Sequence, residues 1–233
     1  MRVVGAAGWR LHECGSARST NDLARGLPAW SAVRADMQTG GRGRFGRAFV
    51  SDPGGLWISA VLPADGGAAK WSGFSLMVGI HLVRMLENLG VPGARLRWPN
   101  DLMSGHKKLG GLLIEQSARE SLIVGFGLNV SNAPWMSDPA LAEIATSIRA
   151  CAGQSRISAT TPEAALFSGS AGVPPASSES GQDARAPGNL HFSQMRPSGQ
   201  SGRAPAAVPD VSEMAVRTLD ALADAHCAME RGV

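Results

Sequence analysis

The chain lacks most of the features that would tie it to a membrane, a metal or a secretory route. Its 233 residues include three cysteines, Cys14, Cys151 and Cys227, scattered and odd in number. They form no Cys-x-x-Cys pair, so neither a disulfide framework nor a zinc site is indicated and a reducing cytoplasm is the default. No run approaches the ~18 apolar residues of a membrane span. Residues 1–10 hold a very short apolar stretch that runs straight into polar sequence, too weak for a secretory signal. The histidines (12, 81, 106, 191 and 226) show no metal-ligand spacing, and no Ser-His-Asp set can be picked out. His81 lies on an otherwise apolar stretch and reads as a satisfied core histidine.

What is present supports a packed domain. Hydrophobic residues make up 44% and charged residues 18%, which excludes global disorder. The formal charge is +3, so the placing of the basic residues matters more than their sum.

The sequence changes character near residue 165. Residues 168–209 are dominated by Ser, Gly, Pro and Ala. Such a segment buries too little apolar surface to offset its ordering entropy and reads as a disordered insertion. Order resumes at Asp210, where Met214, Leu219, Leu222 and Met229 fall on one helical face. Asp210 and Glu213 suit a capping box and Gly232 suits the stop. The division is therefore 1–165 as the main domain, 168–209 as the insertion, and 210–233 as a helix packing back on the domain.

Within the main domain, a helix is expected over Thr20–Leu27, capped by Ser19 or Thr20, and a long amphipathic helix over Trp71–Leu89 ended by Gly90. Strands are expected at Ser31–Met37, Leu56–Leu62, Arg95–Trp98 and Ser121–Val130. Leu102–Met103 and Leu109–Glu115 flank a Ser-Gly-His turn and predict a hairpin. The class is α+β, with a mixed, largely antiparallel sheet flanked by helices.

Four motifs carry chemistry. Gln38-Thr-Gly-Gly-Arg-Gly-Arg-Phe-Gly-Arg47 places Arg42, Arg44 and Arg47 on a glycine-permissive loop. Guanidinium groups bind phosphate or carboxylate by paired, charge-assisted hydrogen bonds, and a mobile loop of this kind can close over an anion. A solvated basic turn or an Arg-Gly nucleic-acid segment would use the same residues. No Gly-Lys-Ser/Thr follows, which excludes the phosphate loop of nucleoside triphosphatases.

The second motif is Arg97-Trp-Pro-Asn-Asp101, followed by Lys107-Lys108-Leu-Gly-Gly111. Pro99 imposes extended geometry that presents Asn100 and Asp101. An aspartate there can hold Mg²⁺ or a ribose hydroxyl, and Lys108 returns close enough to share its site. The alternative is a plain Asn-Asp turn with solvated lysines. Trp98 reads as core.

The third is Gly125-Phe-Gly-Leu-Asn129, where glycines in a strand admit close approach and Asn129 pairs a donor with an acceptor; a bulge and a turn would look the same. The fourth is Ser19-Thr20-Asn21, which helix capping alone can explain.

In this order and spacing, STN, QxGGRGRxGR, RWPNDL, KKLGGLLIE and GFGLNV resemble the catalytic domain of the biotin protein ligases, the biotin–[acetyl-CoA-carboxylase] ligase family, over about residues 10–150. The resemblance implies a fold related to class II aminoacyl-tRNA synthetases. It implies activation of biotin by ATP with Mg²⁺ to biotinyl-5′-AMP, then transfer to a lysine of the biotin carboxyl carrier protein of acetyl-CoA carboxylase. Ser19, Thr20, Asn21 and Gln38 match positions holding biotin's ureido head. Arg42, Gly43 and Arg44 match the loop that orders over biotin and the adenylate phosphate. Lys108 matches the lysine contacting the biotin carboxylate and α-phosphate. Arg44, Arg47, Asn100, Asp101 and Asn129 match nucleotide-side positions, with Asp101 also on the metal side.

The chain departs from the family where Arg97 replaces a usual Lys and Phe49 a usual Trp. Nothing before residue 10 can form a winged-helix domain, so no operator or other nucleic-acid binding is expected. No C-terminal β-barrel is expected either. A lipoate or octanoate ligase or transferase of the same fold, and a biotin-binding protein without turnover, are the competing readings. A homodimer through an exposed sheet edge is compatible with the pattern.

Overall fold

The computed structural model describes residues 1–66, 70–117, 120–153 and 208–232. The eight strands of its one sheet are β1 (Arg2–Val4), β2 (Trp9–Ala17), β3 (Ser31–Gln38), β4 (Leu56–Pro63), β5 (Ala94–Arg97), β6 (Asp101–Ser104), β7 (Lys107–Ser117) and β8 (Ser121–Leu128). They lie in the order β1-β2-β3-β4-β8-β7-β6-β5. Only β2 and β3 run parallel; every other neighbouring pair is antiparallel. The predicted mixed, mostly antiparallel α+β class is what forms. Helices α1 (Thr20–Ala24), α2 (Phe74–Asn88) and α3 (Val211–Glu230) pack on this sheet.

Strand β4 shows why the two faces differ. Its residues are buried throughout, and successive side chains point to opposite faces. Leu56, Ile58, Ala60 and Leu62 join Leu122, Val124, Phe126 and Leu128 of β8 in the main core. Phe74, Val78, Leu82 and Leu86 of α2 and Met214, Leu219 and Leu222 of α3 close that core from outside. Val61, with Val33, Ile123 and Ala24 of α1, makes a small second cluster on the opposite face. The rest of that face carries Trp57 and Ser59 opposite Gly127 and Gly125. A strand bearing a serine and a partner bearing two glycines cannot close a hydrophobic layer, so this face is left to line a cavity.

Helix α3 docks as the periodicity predicts, with Met214, Leu219 and Leu222 fully buried. His226 locks its far end: Nε2 lies 2.9 Å from the Pro63 carbonyl oxygen and the ring stacks on Trp71 at 5.0 Å. Leu222→Ala should therefore cost about 2–5 kcal/mol through lost burial and a residual cavity. Urea unfolding that gives less than half a kilocalorie per mole would mean that the helix is an appendage rather than part of the core.

The structure corrects several expectations. Helix α1 stops at Ala24 rather than Leu27, ahead of Gly26 and Pro28. Ser19 is its N-cap residue but makes no side-chain cap bond. The Oε1 of Gln38, from a neighbouring strand, accepts the Thr20 N–H at 2.8 Å instead. The capping box at α3 is half made: Asp210 accepts from the Ser212 N–H, while Glu213 pairs forward with Arg217. Trp98 is 78% exposed, not core. It sits in the turn of the β5–β6 hairpin at the outer edge of the sheet, where no further layer of the described residues covers it. Strands β1 and β2 are additions: β2 earns its pairing from its parallel neighbour β3, which no local pattern announces. The Gly125–Asn129 stretch carries no bulge, since β8 pairs without a break from Ser121 to Leu128. Residues 154–207, which hold nearly all of the expected 168–209 insertion and the end of the 1–165 unit, lie outside the described residues. Among the described residues, no helix is long and apolar enough to cross a membrane.

Candidate functional site

A cavity of about 390 Å³ opens on the face of the sheet opposite α2 and α3. That volume falls in the range of small-molecule sites, roughly 300–1,000 Å³. Every residue singled out from the sequence lines it: Ser19, Thr20, Asn21, Gln38, Arg42, Gly43, Arg44, Arg47, Asn100, Asp101, Lys108 and Asn129. These come from five separate stretches of chain. The sheet brings them together because β3, β4, β8, β7 and β6 are consecutive neighbours.

One end of the cavity is polar and almost dry. Ser19, Thr20 and Asn21 are each 4–5% exposed, and Ser59 beneath them is fully buried. Gln38 Oε1 accepts from both the Thr20 N–H, at 2.8 Å, and the Thr20 hydroxyl, at 3.1 Å. Gln38 Nε2 donates to Ser51 Oγ at 3.0 Å, and that hydroxyl passes its proton to the Phe49 carbonyl. Buried polar groups must be paired, and here they are paired largely with one another. The glycines of β8 make the room. A Cβ on Gly125 would come within 2.2 Å of Asn21 Oδ1, and one on Gly127 within 2.9 Å of the Phe49 ring.

The other end is cationic. Asp101 receives two cations, Lys108 Nζ at 2.7 Å and Arg97 Nη2 at 2.6 Å. Partial burial pushes its carboxyl up, but the hydrogen bonds from Lys108 and Arg97 outweigh that and hold it below the ordinary aspartate value. Lys108 Nζ also stands 5.4 Å over the Phe49 ring. Its backbone is clamped to the 134–145 loop, with its N–H on the Ile144 carbonyl and its carbonyl on the Thr146 N–H. Arg44 and Arg47 stack on Phe45, at 5.1 and 5.9 Å from its centroid, and neither makes an ion pair among the described residues. Phe45 is 84% exposed and has a φ of 58°, in the left-handed region.

Arg42 is brought to the cavity wall but is already engaged. Its two terminal nitrogens bind Asp22 of α1 at 3.0 and 2.6 Å, a bidentate clasp between the glycine-rich loop and the helix. The Arg42 hydrogen bond lowers the Asp22 carboxyl, overcoming a small opposing effect of burial. The sign of the linkage follows. An aspartate depressed in the folded state contributes above its ordinary value of 3.8 and loses that contribution as pH falls through its lower folded value. The clasp is thus closed at pH 7 and opens only in acid. Limited proteolysis within residues 39–50 should speed up in Asp22→Asn at pH 7 and match wild type in strong acid. Equal cleavage of the two proteins at pH 7 would remove Asp22 as the anchor.

Asn100 and Asn129 line the cavity but are tied into the framework. Asn100 exchanges bonds with Leu112: its Nδ2 donates to the Leu112 carbonyl and its own carbonyl accepts the Leu112 N–H. Asn129 donates to the Thr146 carbonyl at 3.0 Å and accepts from Asn132 at 3.0 Å. Asp101 with its two cations is a poor fit for a protein-held Mg²⁺. Both of its oxygens are taken, and no group of three His, Cys, Asp or Glu residues is gathered among the described residues.

Sequence reasoning missed Ser59, Glu115 and the 134–145 loop. The signal for Ser59 was legible, as a lone hydroxyl inside the apolar run Leu56–Leu62. Nothing local marked Glu115 or the loop, which reach the site only through sheet pairing and backbone bonds.

The comparisons with known proteins agree with this geometry. The model of the biotin/lipoate A/B protein ligase family matches residues 17–129. The bifunctional ligase/repressor BirA of Bacillus subtilis is 34% identical over 143 residues, 59% of this chain and 44% of that protein. The biotin–[acetyl-CoA-carboxylase] ligase of Mycobacterium tuberculosis is 34% identical over 151 residues, 59% of this chain and 56% of that protein. The chain thus spans about half the length of the curated relatives it matches. Among solved structures, a biotin protein ligase from Leishmania major in complex with biotinyl-5-AMP is 32% identical with a TM-score of 0.51, covering 60% of this chain and 63% of that one. A biotin protein ligase from Aquifex aeolicus, in complex with biotin and ATP, covers 95% of this chain and 72% of its own with a TM-score of 0.62; at 21% identity it speaks for the fold alone. The family match over residues 17–129, the relatives at 32–34% identity and the motif-bearing cavity together support reading this stretch as the catalytic domain of a biotin protein ligase, within the biotin/lipoate A/B protein ligase family.

Proposed function

We propose that this domain activates biotin with ATP to biotinyl-5′-AMP and passes the biotinyl group to a lysine of a biotin carboxyl carrier protein. One observation carries the reading: a single cavity joins a buried, neutral hydrogen-bonding end to a cationic end holding Lys108, Arg44 and Arg47. Biotin has the matching asymmetry, with a neutral urea at one end and a carboxylate at the other. The names of the relatives support it, since those from Paracoccus denitrificans and Mycobacterium tuberculosis are biotin–[acetyl-CoA-carboxylase] ligases.

In the first step a carboxylate oxygen of biotin attacks the α-phosphorus. A carboxyl–phosphate bond forms, the bond to the β-phosphate breaks, and pyrophosphate leaves with the electron pair. Two anions must meet, so their repulsion is the main obstacle. Lys108 and the guanidinium groups of Arg44 and Arg47 offset it and stabilise charge building on the α-phosphate. Asp101 holds the Lys108 side chain aimed into the cavity through their ion pair. Arg42, clasped to Asp22, holds the base of the loop so that Arg44 and Arg47 can swing from Phe45 onto the phosphate. Mg²⁺ accompanying ATP would supply charge neutralisation at the phosphates, and the described residues gather no carboxylate cage for it. In the second step the uncharged amine of the acceptor lysine attacks the carbonyl carbon, AMP leaves, and the new amide nitrogen releases a proton. Closure of the glycine-rich loop keeps water from the anhydride in between.

The polar end also speaks to the choice of acid. The dithiolane of lipoate and the tail of octanoate have no group to bond Gln38 or Asn21, and a site built for such bonds penalises analogues that lack them. Pyrophosphate release with ATP and Mg²⁺ should appear with biotin and not with lipoate or octanoate; release with lipoate at a comparable rate would overturn the assignment. A cytoplasmic location, where ATP is abundant, belongs to the same reading. A homodimer through one of the two open sheet edges, β1 or β5, belongs to the same reading, and light scattering that shows only monomer would remove it.

A further inference from the structure

We propose that Glu115 is a positioning residue that locks the Asn21 amide in one orientation, with Ser59 pairing to its carbonyl, and thereby sets which hydrogen bond the polar end of the cavity offers to a urea head group. The inference rests on the reading of this cavity as a biotin site.

An asparagine amide is nearly symmetric in shape, so packing alone does not choose between its two orientations. At Asn21 the neighbours choose. Its Nδ2 lies 2.8 Å from Glu115 Oε2 and its Oδ1 lies 2.6 Å from Ser59 Oγ. An ionised carboxylate only accepts, so it admits the NH₂ side and repels the carbonyl side. Glu115 is itself pinned, because its other oxygen binds Arg25 Nη2 at 2.9 Å. Ser59 is fully buried and has one proton to give, with Asn21 Oδ1 at 2.6 Å and Thr20 Oγ1 at 2.7 Å as its two partners. The Thr20 proton is already committed, since Gln38 Oε1 at 3.1 Å can only accept. A flipped Asn21 would set its carbonyl against the Glu115 carboxylate, whereas Ser59, which accepts as well as donates, would tolerate either orientation; the choice therefore falls to Glu115.

The strands hold this arrangement without freedom to drift. Ser59 on β4 lies opposite Gly125 on β8, and Gly125 lies opposite Leu113 on β7, two residues before Glu115. All three strands are central, and Gly125 leaves just the space that Asn21 fills. With one N–H spent on Glu115, Asn21 keeps one N–H for a ligand. Gln38 likewise keeps one, its other being on Ser51. Both residues line the cavity, so its polar end presents donors suited to a urea carbonyl oxygen.

The test is biotin binding by calorimetry, without nucleotide, on wild type, Glu115→Ala, Glu115→Gln, Asn21→Asp and the paired exchange Asn21→Asp with Glu115→Gln. Wild type that does not bind biotin would sink the biotin reading itself. Given binding by wild type, Glu115→Ala should raise the biotin Kd roughly tenfold to a hundredfold, as expected for a misdirected buried hydrogen bond. Glu115→Gln should fall between, because the new amide can turn and so tolerates either orientation of Asn21. Turnover at saturating biotin should stay within about twofold, so the loss falls on KM. The exchange separates orientation from mere packing. The amide introduced at 115 can donate to the carboxylate introduced at 21, so the melting temperature should recover relative to Asn21→Asp alone. Biotin affinity should not recover, because a carboxylate has no N–H to give. An unchanged Kd in both Glu115 variants, or affinity restored together with stability by the exchange, would overturn the proposal.

Discussion

Replacing Lys108 by alanine is expected to stop biotinyl-5′-AMP formation and to weaken biotin binding while leaving the fold intact. The ammonium stands between Asp101, at 2.7 Å, and the Phe49 ring, at 5.4 Å, on a strand whose backbone is bonded on both sides of the residue. It is therefore held at the junction between the polar and cationic ends of the cavity. Removing one preorganised charge at a reacting phosphate costs roughly a hundredfold to a thousandfold in rate. Asp101 would not be left orphaned, because Arg97 remains on its second oxygen. Mass spectrometry after mixing with biotin and MgATP, with no acceptor present, reads the outcome directly. Lys107→Ala is the control. That side chain is exposed and donates to the Ala142 carbonyl at 2.7 Å, so its loss should leave adenylate formation unchanged. Adenylate at wild-type rates in Lys108→Ala would remove the residue from the mechanism. Loss in both variants would point instead to the shared loop at 134–145.

The second large effect is expected from a single methyl group. Gly125→Ala places a Cβ 2.2 Å from Asn21 Oδ1, well inside any tolerable contact, in the middle of a central strand. Neither β8 nor β4 can yield, so Asn21 must leave its seat between Ser59 and Glu115. Overpacking of this kind destabilises by about 1–3 kcal/mol. The loss of biotin binding should be larger than that, because the displaced residue is the one the ligand meets. Gly15→Ala provides the contrast. It is another strand glycine, but an added Cβ there meets nothing within 4 Å, and both stability and binding should hold. Calorimetry that finds biotin bound by Gly125→Ala at wild-type affinity would show that Asn21 is not part of the biotin seat.

Glycines show where local reading reached its limit. Two glycines in the Gly125–Asn129 stretch fit a bulge and turn as well as a close approach. The choice between them depended on the identity of the neighbour, which is Asn21 from more than a hundred positions earlier in the chain. Trp98 failed for a related reason. A large aromatic in an extended stretch is usually covered, but β5 and β6 end the sheet and no other described residues lie beyond them. Arg42 was legible as a basic loop residue. That its charge is answered by Asp22 of α1, rather than left open to a ligand, was not.

The sequence by itself determined the class of the fold, the main helices and most strands, because hydrophobic period and glycine placement are local properties of the chain. It also determined the chemical inventory of the site, since the arginines, Lys108 and the Ser19-Thr20-Asn21 run are marked by their own composition and order. Only the tertiary structure decided what each of those groups is bonded to. Gln38 caps α1 in place of Ser19, Asp101 gathers two cations instead of standing open to a metal, and Ser59 and Glu115 enter as the partners of Asn21. The physical reason is range. Backbone conformation and burial are set largely within a few residues, whereas a hydrogen bond or ion pair is set by whichever strand happens to be adjacent, and adjacency in this sheet joins stretches far apart in the chain.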